Sequence, residues 1–261
     1  MTNTPTNTPT PSVSPSISPT NTPTVTPSVT PTPSVTPSSV VASEAFSSGG
    51  QTPTSGPSLR ELVDRFPFSS PFTNATNIGD LTRESRLHAG HSALGPATGY
   101  VSGGDDAGII AQITSFPFNS PITSGSTNVG SLSQAREELT GNNGPDDGFS
   151  SGGRSTGTPS QTNRVDSFPF SSSFTTATDV GDLSTTRRTA AGQDSSTDAY
   201  VSAGITGAYT FNTIIDRFPF SVDDNATDVG DLSTAREGAS AQSSTTHGYS
   251  SGGNQPVATT D

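Results

Sequence analysis

The sequence predicts an all-β body of about four 50-residue repeats, preceded by an extended Thr/Pro/Ser-rich stalk. Three observations carry that expectation. The tripeptide Phe-Pro-Phe begins at Phe66, Phe116, Phe168 and Phe218. An aromatic residue before a small-residue turn recurs at the same period, in Tyr100-Val-Ser-Gly-Gly104, Phe149-Ser-Ser-Gly-Gly153, Tyr200-Val-Ser-Ala-Gly204 and Tyr249-Ser-Ser-Gly-Gly253. No stretch of ten residues has convincing helical periodicity; the nearest, Leu132–Leu139, aligns with a non-helical turn in the other repeats. A period of this length marks an array whose units bury their apolar faces only against one another.

In chain order, residues 1–40 come first, written in a four-residue idiom such as TNTP, SVSP and SVTP, with no charge before Glu44. Each proline fixes its own φ and pushes the preceding residue towards an extended conformation, so helix is excluded. The segment is expected to be a spacer, disordered or polyproline II, with hydroxyls dense enough for O-glycosylation. The repeat body follows over residues 41–253, and residues 254–261 are expected to be a flexible tail. Within the last repeat, Thr213–Phe220 is β-branched and aromatic, with its proline near the end where a ladder donor can be spared. Thr227–Leu232 reads as a second strand, Ala239–Ser244 as a third made of small residues, and His247–Ser251 as a fourth. The pair Gly252-Gly253 ends that last strand and permits positive φ.

Composition sets bounds. Of 261 residues, 27% are hydrophobic and the net charge is −12, with 11 basic residues and no cysteine. Sparse apolar content alone leans towards disorder, and only the repeat argues for a packed body. The charge leaves no footprint for nucleic acid or an anionic membrane, and no apolar run is long enough to span a bilayer. Without cysteine there are no disulfides, thiolate metal sites or cysteine nucleophiles. The first ten residues lack the charge and apolar run of a Sec signal peptide.

The candidate site residues divide into repeat marks and isolated motifs. Phe66, Phe116, Phe168 and Phe218 are expected in the core. Arg86, Arg136, Arg187 and Arg236 follow a Gly-Asp/Ser-Leu turn and are expected to pair structurally, with Asp80, Asp182 and Asp231 of those turns as partners. Gly104, Gly153, Gly204 and Gly253 end the strands. Recurrence in every unit argues against catalysis by the arginines, because an active site breaks a repeat's symmetry. Gly148-Phe-Ser150-Ser-Gly152 and Gly248-Tyr-Ser250-Ser-Gly252 fit a nucleophile elbow in letters, but neither precedes a helix and no histidine follows Ser250. His88, His91 and His247 are expected to be solvent-exposed. The pairs Asp105-Asp106, Asp146-Asp147 and Asp223-Asp224 match no calcium-loop spacing. No catalytic, metal or cofactor site is expected. Asn74-Ala-Thr76 and Asn225-Ala-Thr227 are N-glycosylation sequons, meaningful only in a secreted eukaryotic protein.

The double glycine, the aromatic strand Ile214-Ile-Asp-Arg-Phe218 and the stretch Val229-Gly-Asp-Leu-Ser-Thr-Ala-Arg236 resemble kelch repeats over residues 43–253. Kelch units usually hold a tryptophan before the arginine turn, where this chain has Ile78, Val129, Val180 and Val229. The wording of the repeats, with the Thr/Pro/Ser tract, is similar to kelch-like structural proteins of marine bacteriophages, cyanophages included. That resemblance implies a kelch-like β-propeller and a non-enzymatic structural or surface-display protein, a virion-associated component located on a virion or extracellular surface. The partners expected are other structural subunits or copies of the chain itself, with no nucleic acid and no membrane. A glycan-binding adhesin, or a subunit of an extracellular glycosylated fibril, is the alternative. Counting strands gives five copies of the aromatic–glycine strand but four of each other kind. One copy is therefore spare, with that at 44–50 the better candidate and that at 247–253 the other.

Overall fold

The computed structural model describes residues 44–52, 58–68, 74–93, 97–118, 122, 126–157, 160–171, 173–207 and 209–255. All lie in one unit, 40–261. The stalk expected over 1–40 and most of the tail expected over 254–261 fall outside the described residues. The described part is all-β and contains no helix.

The strands form successive antiparallel sheets, each a short meander. The first holds β1 (Glu44–Ser48), with the two-residue ribbon β2 (Gln51–Thr52) and β3 (Ser58–Leu59) beside it, then β4 (Leu62–Pro67) and β5 (Thr76–Asp80), ordered β1-β4-β5. The second is β6 (Ala89–Ala93), β7 (Thr98–Ser102), β8 (Gln112–Pro117) and β9 (Thr127–Ser131). The third is β10 (Thr140–Asn143), β11 (Asp147–Ser151), β12 (Arg164–Pro169) and β13 (Thr178–Asp182). The fourth is β14 (Ala191–Asp194), β15 (Asp198–Ser202), β17 (Thr210–Pro219) and β18 (Thr227–Arg236), with β16 (Ile205–Thr206) on β17. The chain ends in a two-stranded sheet, β19 (Ser240–Ser243) and β20 (Gly248–Ser251). Among the described residues the first sheet thus has no counterpart of β6, and the last has none of β8 and β9.

Register repeats with the sequence. Phe46, Tyr100, Phe149 and Tyr200 stand opposite Arg65, Ser115, Ser167 and Arg217. Each third strand is bulged against its fourth, between Val63 and Asp64, Ile113 and Thr114, Val165 and Asp166, and Ile215 and Asp216. In an extended strand alternate residues face opposite sides. In β12, Asp166 and Phe168 face the preceding sheet while Val165 faces the next, so both faces are buried.

That arrangement makes a low apolar content sufficient. Each adjacent pair among the first four sheets shares one small cluster. Val63, Ile78, Leu81, Val101, Phe116 and Ile122 join the first to the second, with Phe46 and Phe118 packed against them. Tyr100, Ile113, Leu132 and Phe168 join the second to the third. Phe149, Val165, Leu183, Val201 and Phe218 join the third to the fourth. The turns between sheets are tied by a backbone ladder: Glu138 N–H donates to Leu87 O (2.7 Å), Thr189 N–H to Glu138 O (2.9 Å) and Gly238 N–H to Thr189 O (2.9 Å).

The spare-strand expectation is corrected. The copy at 44–50 is paired, as β1 on β4, and it is β20 whose outer edge carries no partner strand among the described residues.

Candidate functional site: the inter-sheet interface and its uncovered end

The aromatic of each second strand packs on the Phe-Pro-Phe of the following sheet. Phe46 stacks on Phe118 at 4.3 Å between ring centroids and tilts on Phe116 at 6.2 Å. Tyr100 lies 5.8 Å from Phe168 and 5.0 Å from Phe170, whose carbonyl accepts its hydroxyl proton. Phe149 meets Phe218 and Phe220 at 5.6 and 5.2 Å. Phe116, Phe168 and Phe218 are accordingly buried. Phe66 differs: among the described residues no preceding sheet covers it, and it is 39% exposed while Phe68 is 58% exposed.

The arginines do pair in the interior, but with other partners than expected. Arg136 donates to the Asp166 carboxylate at 2.8 Å and to the carbonyls of Ser150, Gly152 and Arg164. Arg187 repeats this with Asp216 and the carbonyls of Val201, Ala203 and Ile214. All four side chains of these pairs are fully buried. Burial pushes both guanidinium pKa values down, and the facing carboxylates oppose that shift. The Ser133 and Ser184 backbone N–H groups also donate to these aspartates, at 3.0 and 2.9 Å. The partner therefore sits two residues before each Phe-Pro-Phe, not in the Gly-Asp-Leu turn, because that residue shares a strand face with the phenylalanines. Where Thr114 takes the aspartate's place, Arg86 turns outward to Asp105 (2.7 Å) and Gln51. Arg236 reaches only the carbonyls of Thr234 and Gly252 and has no carboxylate partner among the described residues.

Gly104, Gly153, Gly204 and Gly253 close the second strands with φ between 91° and 107°. Asn74 and Asn225 are exposed, and the Asn225 side-chain oxygen accepts the Asp182 N–H.

The histidines are a second correction. His91 is buried, with Nε2 2.9 Å from Ser102 Oγ and Nδ1 3.2 Å from Asn142 O. His88 is half-buried against Ser48 and Ser85, and only His247 is exposed. The cause is position: His91 lies on a first strand, and first strands line up side by side. Burial lowers the pKa of both His88 and His91 to about 4, partly offset by hydrogen bonds to the Ser48 and Asn142 carbonyls. Ser150 touches Ser102 Oγ (2.8 Å) and His91 Nε2 (3.3 Å), yet it is fully buried in the network that bonds adjacent sheets. Asp105 and Asp106 are spent on Arg86 and Arg83. Among the described residues, no three His, Asp or Glu side chains converge to hold a metal.

At the fourth sheet the interface stands half built. A groove of about 390 Å³ runs between it and β19–β20, lined by Tyr200, Ile215, Val229, Leu232 and Tyr249, with Gln193 and Asp194 at its polar side. Tyr200, Ile215, Val229 and Leu232 occupy the repeat positions of Phe149, Val165, Val180 and Leu183, which the next sheet covers in the third–fourth interface. No described strand supplies a phenylalanine pair here.

No protein-family model matches the chain, and no curated protein matches it in sequence. Among solved structures, its fold is similar to that of YjhT, with a TM-score of 0.57 at 9% identity, over 69% of this chain. The chain spans 62% of that structure. At that identity the likeness speaks for the fold alone.

Proposed function

We propose that the protein is a non-enzymatic structural or surface-display component of a virion, and that its repeat body is a kelch-like β-propeller head carried on the Thr/Pro/Ser-rich segment. What supports this reading most is where the recurrent residues are spent. The arginine pairs, the phenylalanines and the serines after the Gly-Asp/Ser-Leu turn all fasten one sheet to the next. A repeat whose invariant chemistry is consumed by its own joints makes a rigid presenting body. The resemblance of its wording to phage structural repeats supplies the location. Immunogold electron microscopy of particles from the source culture, with antibody to residues 44–255, tests it. Labelling of particle surfaces is expected, and label confined to cells or matrix would overturn it.

A second reading has one observation in its favour. The groove offers Tyr200 and Tyr249 beside the amide of Gln193 and the carboxylate of Asp194, a surface that suits a sugar ring. In that reading the protein is a glycan-binding adhesin. A glycan array with the full chain separates the two, since saturable binding abolished by Tyr249→Ala favours the adhesin.

A further inference from the structure

We propose that copies of this chain join head to tail, β20 of one copy pairing with β4 of a second. The second copy's Phe66 and Phe68 then fill the groove beside Tyr200, and its Asp64 pairs with Arg236. The inference stands apart from the virion reading and holds wherever the protein resides.

Four observations converge on it. The groove consists of the positions that a phenylalanine pair covers in the third–fourth interface. The exposed pair Phe66 and Phe68 sits on the first sheet, on the face where no described sheet precedes it. Asp64 shares that face and holds the repeat position of Asp166 and Asp216. Among the described residues its carboxylate has no hydrogen bond or ion pair. Arg236, at the repeat position of Arg136 and Arg187, already reaches the Gly252 carbonyl as Arg136 reaches that of Gly152. Each end thus carries half of a buried ion pair and half of an aromatic cluster, and the halves are complementary.

The strand edge allows the exchange. β1 and β20 both read Ser-Ser-Gly-Gly at their ends, and β1 sits on β4 with Ser47 opposite Asp64 and Phe46 opposite Arg65. β20 in its place sets Ser250 opposite Asp64 and Tyr249 opposite Arg65, the pairing that Ser150 makes with Asp166. What is given up is β1's own ladder on β4, the packing of Phe46 on Phe116 and Phe118, and the partly exposed Glu44–Arg65 pair; β20 supplies a ladder in the same register, with Tyr249 at the position of Phe46. The length of β18 fits an unfinished joint. It runs ten residues where β5, β9 and β13 run five, because no following aspartate draws Ser233 and Arg236 inward. A second copy satisfies both ends and exchanges β1 for β20 at the edge of the first sheet. Within one chain β20 is not paired with β4, whose edge carries β1. Interfaces of this heterologous kind give rings when the rotation closes and filaments when it does not.

The test is sedimentation velocity of the full-length protein, with circular dichroism to confirm folding of each variant. Wild-type protein should associate as concentration rises to tens of micromolar. Asp64→Arg and Arg236→Glu should each weaken association by about 30-fold or more, as loss of a buried charge partner does. The double variant carrying both should recover it. Because the chain has no cysteine, Arg65→Cys in one copy and Tyr249→Cys in another should give a disulfide-linked dimer on oxidation. A wild-type protein monomeric throughout would overturn the proposal. So would failure of the double charge swap to restore association, or a disulfide formed within one chain when both cysteines are present.

Discussion

Asp166 and Arg136 illustrate what holds this protein together at the residue scale. Each is fully buried, and the guanidinium meets three carbonyls besides the carboxylate. Such a pair is costly to half-remove, because one charge is stranded in a medium of low polarity. Asp166→Ala is therefore expected to cost about 3–5 kcal/mol, read from the urea midpoint. Replacing both partners with apolar residues, as in Arg136→Met with Asp166→Leu, should cost much less. The arginines were legible in the sequence as a repeat mark, and the aspartates were not. Asp-x-Phe-Pro-Phe recurs three times in four, which places the carboxylate on the phenylalanines' strand face, but Thr114 breaks the series. His91 was misplaced for a related reason: nothing in its neighbours announces that first strands are packed side by side. Its burial has a consequence for pH. Folding lowers its pKa from 6.5 to about 4, so between those values the unfolded chain binds a proton that the folded chain refuses. Stability is full above about pH 6.5 and falls as the pH drops towards 4, by up to about 3 kcal/mol for this group. His91→Gln should flatten that part of the profile in urea unfolding from pH 4 to 7. Gln193, at the same repeat position, already donates to Ser202 Oγ at 3.0 Å as His91 meets Ser102.

At the scale of the element, the turn after each second strand decides whether a repeat can close on its neighbour. Gly152 has φ +61°, and a Cβ there would stand 2.5 Å from the Arg187 carbonyl oxygen. Gly152→Ala should destabilise by at least about 2 kcal/mol, since strain and collision add. The fourth sheet holds the informative exception. Ala203 adopts φ +66° where the other repeats have glycine, and it is completely buried. Ala203→Gly should stabilise by about 0.5–1 kcal/mol, the relief of left-handed strain exceeding the added freedom of the unfolded chain. A rise in melting temperature checks it, and a fall would mean the alanine methyl contributes packing that outweighs its strain. These turns, and all four strands of the last repeat, were readable from Gly-Gly, from Phe-Pro-Phe and from β-branched runs. What local sequence could not supply was the order of pairing, which places β12 beside β11 and β13 and turns both its faces inward.

The described body is a succession of sheets whose first and last members have fewer strands than those between them. Counting strand types in the sequence reached this surplus. Counting could not tell which copy is left with a bare edge, because β1 and β20 carry nearly the same letters and differ only in what precedes them. β1 is followed within its own sheet by β4, whereas no described strand follows β20. The uncovered end should therefore be the least stable part of the body, since local opening is easiest where few apolar contacts oppose it. Tyr249 is 54% exposed, while its repeat counterpart Phe149 is buried. Hydrogen–deuterium exchange on the full-length protein, diluted until only monomer is present, tests this account most directly. Amides of β7, β8, β11, β12 and β15 should exchange slowly, and those of β20 should exchange orders of magnitude faster. If β20 in the dilute monomer is as protected as β11, the sheets close on themselves within one chain and the open array described here is wrong.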